Sequence, residues 1–529
     1  MANLFYDENR DIIPHWHSFN TTVILGELNS IQPQEKEIKK KYSIEHYVLE
    51  FKKNQTLAHA ADLLSASIAN GQIKNDNTVR AAEFIINNSC STYTQILLAN
   101  KIIKNSFDSR NILAQEITEL KEFSSEKYYE KIRDLKNRLI LYPNNPVLLV
   151  DLSRYYSIVG QKDKAIRTMK QAIHLDKNNR FVLRSASSLF SHYNTEDNEY
   201  LKYIHKILNS SSLLKMDTWL MATEIAIANK LNKNSKYIKN GIKFIESKNY
   251  SPFNITELCS SIATVEHYNG SHKNSRKLFK QSMNNPNANS FAQAIWASSV
   301  DKLIKIENPN LQVSSGDEAI ARVNYHKEHF NDAFDYSVKW FIDQPFSTEP
   351  AVFGSFIASS LTKNYKNAID IASAALISNP NDTVLLNNIA YAHALDNNLD
   401  KAKDYFSKIK LSLLNDDSKI CFKATKGLIA FRSNEINTGR ALYHEAIIDA
   451  KNESNKVLTL TAILNLTREE ILFGSMEEAT HFINLVNELP VQSEVAIKVL
   501  KEDVLDLYKE KLNDNNISQF IDNLKKKPL

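Results

Sequence analysis

From Pro146 to Asn179 the chain reads PVLLVDLSRYYSIVGQKDKAIRTMKQAIHLDKNN. Leu149, Leu152, Ser153 and Tyr156 fall at i, i+3, i+4 and i+7, one face of a helix, and Gly160 stands where that helix must turn. Ala165, Met169 and Ala172 mark a face of the helix that follows. A second stretch, Thr383 to Asp416, puts Leu386, Ile389, Ala390, Ala402 and Phe406 in the same places. A helical hairpin that returns at a period near 34 is the signature of a repeat array. One such hairpin cannot bury its own apolar face, so the units must stack.

The pattern weakens and recovers along the chain. After Asn179 it erodes through Arg180 to Leu213, through Asp217 to Asn249 with Trp219, Ala222, Ala226, Tyr237 and Ile242, and through Thr256 to Asn287, where Ile262, Ala263, Gly270 and Phe279 keep their offsets. Ser290 to Ile306 is helical and precedes Asn308-Pro309-Asn310, a break that reads as the joint between two sub-arrays. From Ser314 the register tightens. The small residue opening the second helix falls at Ala333, Ala368 and Ala402, intervals of 35 and 34, and Pro345 and Pro380 are 35 apart. Two further copies carry Gly427, Asn434, Gly439, Tyr443 and Ala446, then Gly474, Ala479 and Ile483, with 40 residues from Gly439 to Ala479.

Outside the array the organisation differs. Tyr42 to Asn105 forms helical hairpins of another spacing, and Ile112 to Leu141 is a charged amphipathic stretch that stops at Pro143-Asn144-Asn145-Pro146. Met1 to Lys41 shows no helical period and reads as an extended or irregular arm. Glu502 to Leu524 reads as one or two polar capping helices, and Lys525, Lys526 and Lys527 as a solvated tip. The expected divisions are an arm at 1–41, divergent hairpins at 42–145, sub-arrays at 146–306 and 314–490, and a cap at 491–529.

Composition agrees with an almost wholly helical protein: 529 residues hold only 10 glycines and 12 prolines, and Leu, Ile, Ala, Lys, Glu and Asn dominate. Abundant Asn and Lys also fit an AT-rich coding genome. With 65 basic and 61 acidic residues, the net charge of +4 lacks the one-sided field of a dedicated nucleic-acid binder. Cys90, Cys259 and Cys421 are too scattered for a metal set or a disulfide framework and read as core thiols of a reducing compartment. Met1 to Arg10 has no apolar signal region, and no window approaches a membrane span, so a cytoplasmic protein is expected.

The spacing resembles the tetratricopeptide repeat family, whose repeats carry small residues at positions eight, twenty and twenty-seven, aromatics near eleven and twenty-four, and proline near thirty-two. Ser153, Tyr156, Ala165 and Ala172 match in one copy, Ala390, Ala402 and Phe406 in another, and Pro380 closes the copy before it. The resemblance implies an all-α, right-handed solenoid whose inner groove is lined by the first helix of each hairpin. In that register Asp151, Arg154, Asn387, Asn388, Tyr391 and Lys423 are groove residues. The resemblance also brings to mind a clamp for a peptide's terminal carboxylate, for which Asn388 is suitably placed; Phe353 and Ile357 stand where that clamp needs polar partners, so it is incomplete. Asn387 and Asn388 are better suited to hydrogen-bonding an extended backbone.

His15-Trp16-His17 supplies two histidines but no third ligand nearby, so no metal is assigned. Trp16 and Phe19 are the aromatic type that anchors in a partner's pocket, with packing on the chain's own first hairpins as the competing expectation. Cys259 and His267 share a helix yet lack an orienting group, and Trp219, Trp296 and Trp340 fall with core positions. Phosphate loops, dinucleotide fingerprints and zinc-hydrolase and serine-hydrolase motifs are absent from the sequence, so neither catalytic residue nor cofactor is assigned. The expected function is a non-catalytic scaffold or adaptor that binds another protein or an extended peptide, in an oligomeric state the sequence leaves open. The alternative is a peptide- or ligand-responsive sensor acting on a separate effector, as in bacterial signalling, stress-response or phage-defence complexes, and a bacterial source is expected.

Overall fold

A computed structural model describes residues 10–19, 44–69, 75–89, 91, 93–103, 120, 123–194, 197–247, 249–306, 313, 315–488 and 495–525. Among the described residues there are 25 α-helices and no strand. Helices α1 (Ile44–Lys53), α2 (Leu57–Ala69), α3 (Asp76–Ile86) and α4 (Tyr93–Ile103) close around a core of their own, with Phe51, Leu63, Ala82 and Ile85 at its centre. Helix α5 (Ser125–Leu141) leads into the array, and its Tyr128, Ile132 and Leu135 join the main core. The expected break at Asn308-Pro309-Asn310, Cys90, the stretch 112–119 and Lys526 and Lys527 lie outside the described residues.

The array is an all-α solenoid of stacked hairpins. Its first half runs through α6 (Pro146–Ile158), α7 (Lys162–Leu175), α8 (Arg180–His192), α9 (Glu199–Ser210), α10 (Thr218–Lys230), α11 (Ile238–Ser247), α12 (Pro252–Tyr268), α13 (His272–Ser282) and α14 (Ala288–Val300). It continues through α15 (Asp317–His326), α16 (Phe330–Asp343), α17 (Glu349–Phe356), α18 (Tyr365–Leu376), α19 (Thr383–Leu395), α20 (Leu399–Ser407), α21 (Asp416–Arg432), α22 (Ile436–Asn452), α23 (Lys456–Phe473) and α24 (Met476–Glu488). The end is one long helix, α25 (Val495–Lys525).

The two helices of a hairpin have different burial, which follows from stacking. First helices lie between neighbouring hairpins and are buried nearly all round: α10 buries every residue from Thr218 to Ala228, and α12 every residue from Asn254 to Val265. Second helices bury one stripe, such as Leu201, Ile204 and Leu208 on α9. Trp219, Trp296, Trp340 and Cys259 are buried, as their spacing predicts. Burial also pushes the Cys259 thiol up to about 12, which keeps it protonated and unreactive.

Asparagine has structural work in this chain. Asn145, Asn179, Asn287, Asn415 and Asn455 cap helices by accepting a first-turn backbone N–H, as Asp217, Ser251 and Asp382 also do. Asn232, Asn397 and Asn434 adopt left-handed backbone at the turn inside a hairpin, where Gly160 and Gly270 stand in other copies. That left-handed residue is a steadier mark of the repeat than the small residues read from the sequence.

The array curls until its start meets its middle. The Ser378 hydroxyl donates to the Ile158 carbonyl at 2.7 Å, and the Arg154 guanidinium donates to the Asp343 carbonyl at 2.9 Å. Phe123 packs on Phe341 with ring centroids 4.9 Å apart, and His192 on Phe346 at 5.5 Å. A Cβ on Gly160 would lie 2.8 Å from the Ile377 carbonyl oxygen. The described residues between 146 and 380 therefore form a closed turn with an inward surface.

Gly427 and Gly439 allow α21 and α22 to cross closely. A Cβ on Gly439 would meet Phe431 at 2.5 Å and the Gly427 carbonyl at 2.9 Å. Gly→Ala in a helix ordinarily stabilises by roughly 0.5–1 kcal/mol, but here backbone opposes it. Gly439→Ala is expected to destabilise by about 1–3 kcal/mol, read as an earlier denaturant midpoint. A gain in stability would show that the crossing yields freely.

Candidate functional site

The inward surface of the closed turn holds an extended segment, residues 10–19. Its burial alternates: Arg10, Ile12, Pro14, Trp16 and Ser18 are buried, whereas Asp11, Ile13, His15, His17 and Phe19 are half-buried. A two-residue period is what extended backbone produces, since successive side chains point to opposite sides. Pro14 favours it, fixing its own φ and excluding helix at Ile13.

Array side chains read the backbone of this segment. Gln344 Oε1 accepts from the Trp16 N–H at 3.2 Å, and Arg154 Nε donates to the Trp16 carbonyl at 2.9 Å. Gln293 Nε2 donates to the Arg10 carbonyl at 2.6 Å, and Asp151 Oδ1 accepts from the Phe19 N–H at 2.9 Å. Side chains add anchors. Trp16 is fully buried with Phe346 edge-on at 5.3 Å, and Phe19 meets Phe181 at 5.4 Å. The segment thus packs on the array rather than on the first hairpins α1–α4, which were the expected site of self-packing.

Charge fixes the segment's other end. Arg10 grips Glu318 with two parallel bonds, Nε to Oε1 at 2.8 Å and Nη2 to Oε2 at 2.7 Å, and also donates to Gln293 at 2.6 Å. Arg322, one turn along α15, donates to the same carboxylate at 3.0 Å and lies over the Trp340 ring. Burial raises the affinity of Glu318 for a proton, but Arg10 and Arg322 outweigh it and hold the carboxyl well below its ordinary value. Asn289 bridges onward, accepting from Arg10 at 3.3 Å and donating to Glu257 at 3.4 Å. Glu257 in turn takes both arms of Arg184, at 2.7 and 2.9 Å.

Two acids beside the segment behave differently. Burial pushes Asp151 up to about 6, and the Phe19 amide and Arg154 offset that only in part. Asp343 is also buried, yet the His17 ring, 2.9 Å from its Oδ2, and further help from His15 and Gln344 bring it down to about 2.

The structure brings together four residues singled out from the sequence, Trp16, Phe19, Asp151 and Arg154, in direct contact. The other four stand elsewhere. Asn387 and Asn388 are buried in α19, Asn388 donating to Ser355 at 3.1 Å, and Tyr391 donates to Asn465 at 3.0 Å. Lys423 is paired with Asp449 at 2.5 Å on the next helix. Gln293, Glu318, Asp343 and Gln344 were not anticipated. For Glu318 the available signal is its place beside Arg322, one turn along the same helix and among buried alanines, in DEAIARVNYH.

No family profile matches the sequence, and no curated protein matches it significantly. Among solved structures the chain is similar to yeast Tom70, at 12% identity over 92% of this chain and 95% of that chain, with a TM-score of 0.28. It is also similar to the APC/C hetero-tetramer Cut9–Hcn1, at 13% identity over 89% and 99% of the two chains, with a TM-score of 0.33. Superpositions this loose carry no argument about binding.

Trp16→Ala is expected to remove a contact that large-to-small core changes value at about 3–5 kcal/mol. The segment should then release, and amides of residues 10–19 should exchange hydrogen at least tenfold faster while α10 and α12 stay protected. Unchanged exchange at residues 10–19 would show that the polar grip alone holds the segment.

Proposed function

We propose that the chain is a non-catalytic protein-binding scaffold whose inward surface takes an extended peptide segment of a partner. The observation that supports this is the surface's grip on residues 10–19, where Arg154, Gln293, Gln344 and Asp151 bond to main-chain atoms. Main-chain bonds suit any extended sequence, and the Trp16 and Phe19 pockets select aromatic anchors. Trp16, Phe19, Asp151 and Arg154 carry the reading; Asn387, Asn388 and Tyr391 are buried within the stack and take no part in it.

The same observation favours a second reading, a regulatory sensor. A groove filled by its own segment binds a partner only when that segment leaves, so occupancy reports the partner's presence. A separate effector chain would then respond to the released segment.

A labelled peptide of residues 10–19 tests the groove directly. Added to the full chain carrying Trp16→Ala, it is expected to bind with a Kd of about 1–10 μM, worth roughly 7–8 kcal/mol. Wild-type chain should bind at least tenfold more weakly, because the site is filled. Arg154→Ala in the Trp16→Ala background should weaken binding about tenfold. Absence of peptide binding to a Trp16→Ala chain whose residues 10–19 exchange freely would refute the reading.

A further inference from the structure

His15 and His17 are two residues apart in extended backbone and therefore project to the same side of the segment, away from buried Trp16. The array supplies what the sequence lacked there. Asp343, at the end of α16, meets them, and one donor atom from each of His15, His17 and Asp343 lies within 4.8 Å of the others. His17 Nε2 is 2.9 Å from Asp343 Oδ2. Two ligands of one tetrahedral cation, each about 2.0 Å from it, sit roughly 3.3 Å apart, so a small movement would accommodate the ion.

Two buried polar atoms in this cluster have no hydrogen-bond partner among the described residues, His15 Nδ1 and Asp343 Oδ1. The Asp343 side chain is only 5% exposed. A buried carboxylate oxygen and a buried imidazole nitrogen left unsatisfied each cost about 1–3 kcal/mol, so their coincidence calls for a ligand. The surroundings hold each donor in place. His15 Nε2 lies 3.5 Å from Glu318 Oε2, the arrangement that leaves Nδ1 as the free lone pair, and Gln344 Nε2 donates to Asp343 Oδ2 at 2.8 Å, leaving Oδ1. Glu318 is committed to Arg10 and Arg322 and serves as an orienting carboxylate.

We propose that His15, His17 and Asp343 form a zinc site that fastens the N-terminal segment to the array. Two imidazole nitrogens and one carboxylate oxygen are a donor set suited to Zn2+, with the fourth tetrahedral position left to water or to a donor from a bound partner. Calcium and magnesium are disfavoured by the two nitrogen donors. The second histidine cluster, His267, His272 and Asp301, makes a contrast: Arg276 Nε already occupies Asp301 Oδ2 at 3.0 Å, placing a cation where a metal would sit. The zinc site depends on the docked segment and not on any partner.

Full-length protein stripped with chelator and titrated with ZnCl2 by calorimetry tests this. One equivalent is expected to bind, with binding weakened at least tenfold by the pair His15→Ala and His17→Ala and unaffected by His267→Ala with His272→Ala. Hydrogen exchange gives an independent reading: zinc should slow exchange at residues 10–19 in wild type and not in the His15→Ala, His17→Ala chain. Because neither histidine is part of the array's core, that variant keeps its fold, checked by the unchanged protection of α10 and α12. Equal zinc binding by wild type and the double variant, or no binding by wild type, overturns the proposal, as does zinc binding that leaves exchange at residues 10–19 unaltered.

Discussion

The Arg154 guanidinium stands where three distant parts of the chain meet. It belongs to α6 and donates through Nε to the Trp16 carbonyl and through Nη2 to the Asp343 carbonyl. One side chain thus ties the first hairpin of the array, the N-terminal segment and the end of α16. A planar fork with several fixed donors suits that task, and a lysine, with a single ammonium on a flexible stem, would not reach two carbonyls in set directions. Without this junction the turn has less reason to close, and without a closed turn the segment has no inward surface to lie on.

Closure places polar groups where water is scarce, and pairing decides whether they are tolerated. Breaking a buried ion pair by removing one partner costs about 3–5 kcal/mol, because the remaining charge is left uncompensated. Glu318 is the sharpest case, a single buried carboxylate facing Arg10 and Arg322. A similar arrangement recurs in the second half, where Glu469, fully buried, takes Arg432 at 3.1 Å and Arg468 at 2.8 Å. Arg432 and Arg468 come from α21 and α23 of the array itself, so that pairing is complete without the N-terminal segment. Only the first network requires Arg10. The asymmetry makes the segment part of the first turn's electrostatics rather than a loose covering.

The hairpins were legible in the sequence because stacking imposes a local rule. Small residues such as Ala165 and Ala402 must recur where helices approach, and Gly160 must occupy a left-handed turn, so a window of 34 residues contains the information. For the N-terminal segment the missing helical period left extended and irregular backbone both open. What the segment touches was not legible. Arg10 meets Glu318 across 308 residues and His17 meets Asp343 across 326, and no local pattern records such pairs. Asn388 and Tyr391 show the converse difficulty: their helix positions were read correctly, yet Ser355 and Asn465 engage them from neighbouring hairpins. A side chain's place on a helix is local, whereas its availability is set by the stack.

Tethering gives the segment a large advantage over any competitor. Linked to the array it samples the groove at an effective concentration of roughly millimolar, whereas a partner peptide arrives at its free concentration. A competitor at about 1 μM must therefore bind roughly a thousandfold more tightly than the segment, a difference near 4 kcal/mol. Contacts beyond those made by residues 10–19 supply such a difference most readily. On the proposed reading, a long, extended, aromatic-bearing partner therefore has the advantage over a short one.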